Sequence, residues 1–102
     1  MILDEAEFHK AADLVLNHLG DVIDDQLGDR IDVEMQSGIL TLDLEKGGQY
    51  VINKHGPNKE IWLSSPISGA AHFKFSGGKW FSTRKSDIEL LALLSQELGI
   101  SL

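Results

Sequence analysis

Glu5, His9, Asp13, Asp21 and Asp25 stand at multiples of four along one stretch of chain, with Asn17 filling the gap. On a helix such residues form a row of neighbours that drifts slowly around the surface, and Asp24 falls between Asp13 and Asp21 on the same wheel. Asp29 follows, and Asp32 and Glu34 then alternate with Ile31, Val33 and Met35, which places two acids on one face of a strand. Carboxylates without thiols suit hard cations, and the His9 imidazole adds a borderline donor suited to Fe(II) or Co(II). No enclosed cation loop is spelled out. After Asp24 an EF-hand would need ligands two and four positions on and a glycine at the sixth, where the chain has Gln26, Gly28 and Asp29. The expected metal sites are therefore shallow and completed by solvent. His9 taken alone reads as an ordinary surface histidine, and His18, His55 and His72 have weaker claims still.

An acidic helix face is most often only a solvated face. Here the concentration argues otherwise: ten of the sixteen Asp and Glu residues lie in the first 34 positions beside only Lys10 and Arg30, a net −8, while the remaining 68 residues carry +1. A segment that keeps like charges together against their repulsion is suited to meet a metal cation or a basic protein surface. The rest of the composition removes other classes. With 102 residues the chain is expected to be one domain, 1–102, and with no cysteine it offers no disulfide, thiolate ligand or thiol nucleophile. Short apolar runs and an acidic N-terminus point to a soluble, cytoplasmic protein with no membrane association, and the lack of a basic patch sets nucleic acid aside. Ser64 and Ser65 lack a GxSxG elbow, and the adjacent Asp24 and Asp25 diverge by about a hundred degrees on a helix. No catalytic residue is expected.

The elements that must position these groups follow from periodicity. Residues 2 to 25 read as an amphipathic helix with Phe8, Ala12, Val15, Leu19 and Val22 on its apolar face, weakened at Gly20 by about 1 kcal/mol. From Arg30 the period becomes two. Ser37 and Gly38 turn the first strand into Ile39 to Leu44, Gly47 and Gly48 lead into Gln49 to Lys54, and the loop HGPN leads into Lys59 to Ser64. Ser65 to Gly69 interrupts the pattern before a last hairpin, Ala71 to Phe75 and Trp80 to Thr83, around Gly77 and Gly78. Ser86 and Glu89 read as a capping box opening a helix with Ile88, Leu91, Leu94 and Leu98, closed by Gly99, with Ile100 and Leu102 packed beside it. This is an α+β chain: a two-layer αβ sandwich with the N- and C-terminal helices on one face of an antiparallel sheet of about six strands. Alternation then places Trp62, with Asn53 beside it, on the face turned away from the helices, as a candidate anchor for a protein partner.

The stretch Asn53 to Pro66, NKHGPNKEIWLSSP, resembles the sheet signature of the frataxin family: an Asn, a Pro four residues later and a Trp five beyond that. In this stretch it looks closer to eukaryotic members than many bacterial ones do. EFH at Glu7 to His9, DDQLGD at Asp24 to Asp29 and IDVE at Ile31 to Glu34 are similar to bacterial frataxins, the CyaY proteins. The matches run in order from end to end of the chain, and together they are specific.

The resemblance implies an iron-binding accessory of iron–sulfur cluster assembly, an iron chaperone or regulator rather than an enzyme. It implies iron (Fe2+ or Fe3+) held weakly and exchangeably, with other divalent cations competing, on a ridge comprising Glu5, His9, Asp13, Asp21, Asp24, Asp25, Asp29, Asp32 and Glu34. The same ridge would contact a basic surface of the cysteine desulfurase. A sheet surface at Asn53, Lys54, Pro57 and Trp62 would contact the iron–sulfur scaffold and its desulfurase. The implied state is a monomer, with iron-dependent oligomers as a further form. An iron-oxidising or iron-storing protein is the alternative, but a ferroxidase centre needs carboxylates converging inside a bundle, and these acids lie on an outer face. The chain departs from the family in having His72 where eukaryotic members carry a basic residue, and Gly20 where bacterial relatives carry an acid, which would thin the ridge by one charge. Little chain follows Gly99 to cover the space between the helices, so low stability is expected.

Overall fold

The computed structural model describes residues 4–102, and its first helix, α1 (Glu5–Leu27), begins at a complete capping box. The Asp4 carboxylate accepts from the Glu7 N–H at 2.8 Å, and the Glu7 side chain accepts from the Asp4 N–H at 3.5 Å. The expected helix at 2 to 25 thus ends two residues later than the sequence suggested, and residues 2 and 3 lie outside the described part. Its buried stripe is Phe8, Ala12, Leu16, Leu19, Ile23 and Leu27, with Val15 and Val22, expected in the core, only half-buried at its margin. The difference is one of period. Steps of four and three average 3.5 and belong to a supercoiled seam, whereas a helix laid on a sheet follows a row of steps close to four.

Six strands form one antiparallel meander in sequence order: β1 (Ile31–Gln36), β2 (Ile39–Leu44), β3 (Gln49–His55), β4 (Glu60–Ser65), β5 (Gly69–Ser76) and β6 (Lys79–Ser82). The turn between β1 and β2 has positive φ at both Ser37 and Gly38, the hand that matches strand twist, and it pairs Gln36 with Ile39 and so Asp32 with Asp43. Leu40, Leu42, Tyr50, Ile52, Ile61, Leu63 and Phe73 point to the helices and are buried. The alternation fades at the edge strand β1, where Ile31 is buried, Val33 half-buried and Met35 exposed.

The second helix, α2, runs from Leu90 to Leu98 and opens differently from expectation. Ser86 does not cap it and Ile88 is not helical. Ser82 donates its N–H to the Ile88 carbonyl at 2.8 Å and Glu89 bridges Phe81, so residues 88 and 89 are held as an extension of the sheet. Glu89 itself then caps the helix, accepting from the N–H groups of Leu91 at 2.9 Å and Ala92 at 3.1 Å. Gly99 closes α2 at φ 73°, as expected. Ile100 and Leu102 pack against the core, and the Leu102 carbonyl lies 2.9 Å from His18 Nε2. No helix among the described residues is long and apolar enough to cross a membrane.

The far end of α2 is tied to the sheet by a polar network. Glu97 Oε1 accepts from the Tyr50 hydroxyl at 2.8 Å and the Ser65 hydroxyl at 2.6 Å. Burial pushes the Glu97 carboxyl up, but hydrogen bonds from Ser65, Ser68 and Tyr50 outweigh it and hold the group below its ordinary value. Burial and the Glu97 charge push Tyr50 up to about 12. Because the folded carboxyl titrates below the unfolded one, its contribution to stability is complete above the unfolded value and is lost as pH falls through the folded one. In urea melts from pH 6 to pH 3, wild type should lose its advantage over Glu97→Gln. A constant difference across that range would contradict the network.

Gly20 is half-buried over the sheet, where an added Cβ would sit 3.5 Å from Leu40 Cδ1 and 4.0 Å from Val33 Cγ1. An acid at this position would start beside Leu40 and Val33, at the border between the helix and the edge strand. Both distances are ordinary contact, and Gly20→Ala should stabilise by about 1 kcal/mol, raising the melting temperature by roughly 4 to 8 °C. A drop in melting temperature would mean that the helix approaches the sheet too closely for a methyl group.

Candidate functional site

The acidic groups divide between two ends of α1. At its C-terminal end Asp21, Asp24 and Asp25 are exposed, Asp29 follows in the turn, and Asp32 and Glu34 project from the edge strand β1. Asp24, Asp32 and Glu34 share a groove with Asp43, which β2 contributes directly opposite Asp32. Two like charges facing each other across a strand pair are destabilising. Asp43 was not among the expected ligands, although the two-residue turn at Ser37 and Gly38 fixed that pairing in the sequence. Its Oδ1 accepts from Gln49 Nε2 at 2.8 Å. The last turn of α1 holds no basic residue, so its acids meet the negative end of the helix dipole unrelieved. Among the described residues, no three ligand-type side chains converge to hold a metal ion.

At the N-terminal end the setting differs. Asp13 Oδ1 lies 2.9 Å from Lys54 Nζ, and Glu5 Oε1 lies 3.8 Å from His9 Nε2. His9 stacks obliquely on Phe8, and its Nδ1 is buried with no hydrogen-bond partner among the described residues. A histidine that ligates through one nitrogen normally donates from the other to an acceptor. His9 lacks that support, which makes it a poor ligand.

The open sheet face carries the second candidate surface. Trp62 is placed there, opposite Asn53 on β3 and His72 on β5, with Pro57 exposed in the turn before β4. The indole is not bare. His55 stacks on one side at 3.7 Å between ring centroids and 10° between planes, and His72 on the other at 4.3 Å and 6°. Trp62 Nε1 donates to Glu60 Oε1 at 2.8 Å, and that side chain, 9% exposed, also faces His72 Nδ1 at 3.6 Å and Lys74 Nζ at 4.0 Å. Trp62 is thus half-buried and offers its edge. Lys54 departs from its expected place with Asn53 and Trp62: it pairs with the core residue Ile61 and reaches the helix side of the sheet, because neighbouring residues on a strand face opposite ways.

Fold and site together define an αβ-sandwich protein with two separated surfaces suited to binding, one a ridge of carboxylates and the other an aromatic sheet face. The chain belongs to the frataxin family, as the resemblance in NKHGPNKEIWLSSP implied: the family model of the frataxin-like domain matches residues 1–102. It is 41% identical over 95 residues to the iron-sulfur cluster assembly protein CyaY of Vibrio cholerae, covering 93% of this chain and 88% of that one. It is 39% identical over 104 residues to mitochondrial frataxin of Arabidopsis thaliana, covering 95% of this chain. The match spans about half of that relative's length, 54%. Among solved structures, frataxin from Psychromonas ingrahamii superposes with a TM-score of 0.83 at 26% identity, covering 94% of this chain and 89% of that one. Trimeric frataxin from Saccharomyces cerevisiae complexed with ferrous iron gives 0.79 at 38% identity, covering 97% and 86%.

Proposed function

We propose that this protein is an iron-binding accessory and regulator of iron–sulfur cluster assembly. Iron is its cargo, held weakly on the ridge at Asp21, Asp24, Asp25, Asp29, Asp32, Glu34 and Asp43. The same ridge docks on a basic surface of the cysteine desulfurase, and the face around Asn53, Pro57 and Trp62 meets the scaffold. The observation that carries this reading is a set of carboxylates crowded at an unfavourable helix end and across a strand pair, yet not converging on one point. Such a surface attracts cations without enclosing them. The family's iron–sulfur assembly member and the ferrous complex of the yeast relative support it, and the trimeric yeast relative supports an oligomeric form. A ferroxidase reading finds less support, because these acids do not gather inside a bundle.

Anaerobic calorimetry with Fe(II) should give micromolar or weaker affinity, about −8 kcal/mol or less favourable, with Co(II) and Ca(II) competing. Asp24→Asn combined with Asp25→Asn should weaken it further. For a site of about 10 μM, 1 mM metal should add about 2.7 kcal/mol to stability. One nanomolar, iron-selective site, or binding untouched by the double variant, would overturn the reading. Function itself is tested by reconstituted cluster assembly with and without this chain across iron concentrations. A rate indifferent to the chain at every iron level would remove the assembly role.

A further inference from the structure

We infer that Lys54 is a built-in cation that closes the N-terminal half of the ridge, confining exchangeable metal to the half between Asp21 and Asp43. The inference rests on the ridge being a cation surface. Lys54 Nζ lies 2.9 Å from Asp13 Oδ1, and the lysine side chain is only 20% exposed. Its stem is fixed as well as its charge. The Lys54 N–H donates to the Gly38 carbonyl at 3.0 Å, and a Cβ at Gly38 would come within 2.8 Å of Lys54 Cε, so the stem lies across the β1–β2 turn. The ammonium therefore takes one oxygen of Asp13 and sets a fixed positive charge beside any metal that would bind the other.

Two neighbouring acids are also committed, while the exposed Glu5 faces only His9 among the described residues, at 3.8 Å. Asp4 caps α1, its carboxyl held low first by the Glu7 N–H and further by the charge of Lys59, and Glu7 returns the capping bond. His9 Nδ1 has no acceptor among the described residues to support ligation through Nε2. A divalent ion on Asp13 would either displace the ammonium, leaving it half-enclosed without its partner, or sit on the second oxygen against its charge. Between Asp21 and Asp43, by contrast, the sequence holds seven carboxylates and one basic residue, Arg30. An intramolecular cation thus decides which part of one continuous acidic row takes a metal.

The test is Mn(II) added in small amounts to the isotopically labelled chain, read by paramagnetic broadening of amide and carboxyl signals. Asp13 lies about 16 Å along the helix from Asp24, and broadening falls steeply over that distance. In wild type the signals of Asp21, Asp24, Asp32 and Asp43 should broaden first while Glu5 and Asp13 stay sharp. In Lys54→Met broadening should spread to Asp13 and Glu5, and Lys54→Arg should keep the wild-type pattern. Equal broadening at Asp13 and Asp24 in wild type would overturn the inference while leaving the ridge reading intact, and needs no variant. An unchanged pattern in a folded Lys54→Met chain would overturn it as well. Broadening at none of these acids would overturn the ridge reading and the inference with it.

Discussion

Asp24→Lys combined with Asp25→Lys should weaken docking on the desulfurase by more than a hundredfold at low salt while leaving the protein as stable as before or slightly more so. Both side chains are exposed at the C-terminal end of α1, where no basic residue opposes the helix dipole. Lysines there meet the dipole favourably, by roughly 0.3 to 1 kcal/mol. Each contact between an exposed acid and a partner base about 5 Å away is worth about 0.8 kcal/mol in water. Reversal removes that attraction and adds an equal repulsion, so two positions together lose about 3 kcal/mol. The difference between variant and wild type should shrink as salt shortens the screening length from about 10 Å at 0.1 M to about 3 Å at 1 M. Binding titrations at two ionic strengths, paired with a urea melt, decide it. A variant that binds as wild type at low salt would show that the ridge is not the docking surface.

The opposite signs of those two effects bear on why the acids are there. A chain selected for stability alone would not place Asp21, Asp24 and Asp25 at the negative end of a helix or Asp32 across from Asp43. Each choice costs little by itself, but all fall on one side of the molecule. Metal or a basic partner relieves both repulsions at once, and the stabilisation that added divalent cation should give is the same effect read in reverse.

Much of this architecture is legible in the sequence. Hairpin turns at Ser37 and Gly38 and at Gly77 and Gly78 are local chemistry, and local chemistry gives strand order when every connection is short. Asp43 could have been found by carrying the first turn's pairing five residues outwards. Leu16 and Ile23 could not be separated from Val15 and Val22 in the same way, because the choice depends on the surface the helix lies on. The start of α2 escaped for a related reason: Ser86 and Glu89 make a sound capping box in isolation, and a tertiary bridge between Glu89 and Phe81 overrides it. Lys54 was misplaced by treating a contiguous motif as one surface, though strand alternation divides Asn53 from Lys54. The two histidines around Trp62 lie on three adjacent strands with it, and only the assembled register stacks them.

That stack changes what truncating Trp62 should do. A bare exposed indole could be removed at little cost, whereas here Trp62→Ala gives up ring contacts with His55 and His72, each worth about 0.5 to 1.5 kcal/mol, and the hydrogen bond to Glu60. The Glu60 carboxylate keeps Lys74 and His72 within 4.0 Å, so it is not left without a counter-charge. Destabilisation should therefore be about 2 kcal/mol, below the roughly 3 to 5 kcal/mol of a core aromatic. Binding to the scaffold assembly should fall about thirtyfold in addition, since a hot-spot truncation costs at least about 2 kcal/mol. Trp62→Phe separates the two effects, because it keeps a ring between the histidines and loses only the N–H bond and part of the edge. Urea melts and binding titrations on both variants give the outcome. Loss of the fold in Trp62→Ala would make Trp62 part of the core, and normal binding by a folded Trp62→Ala would remove the sheet face as an interface.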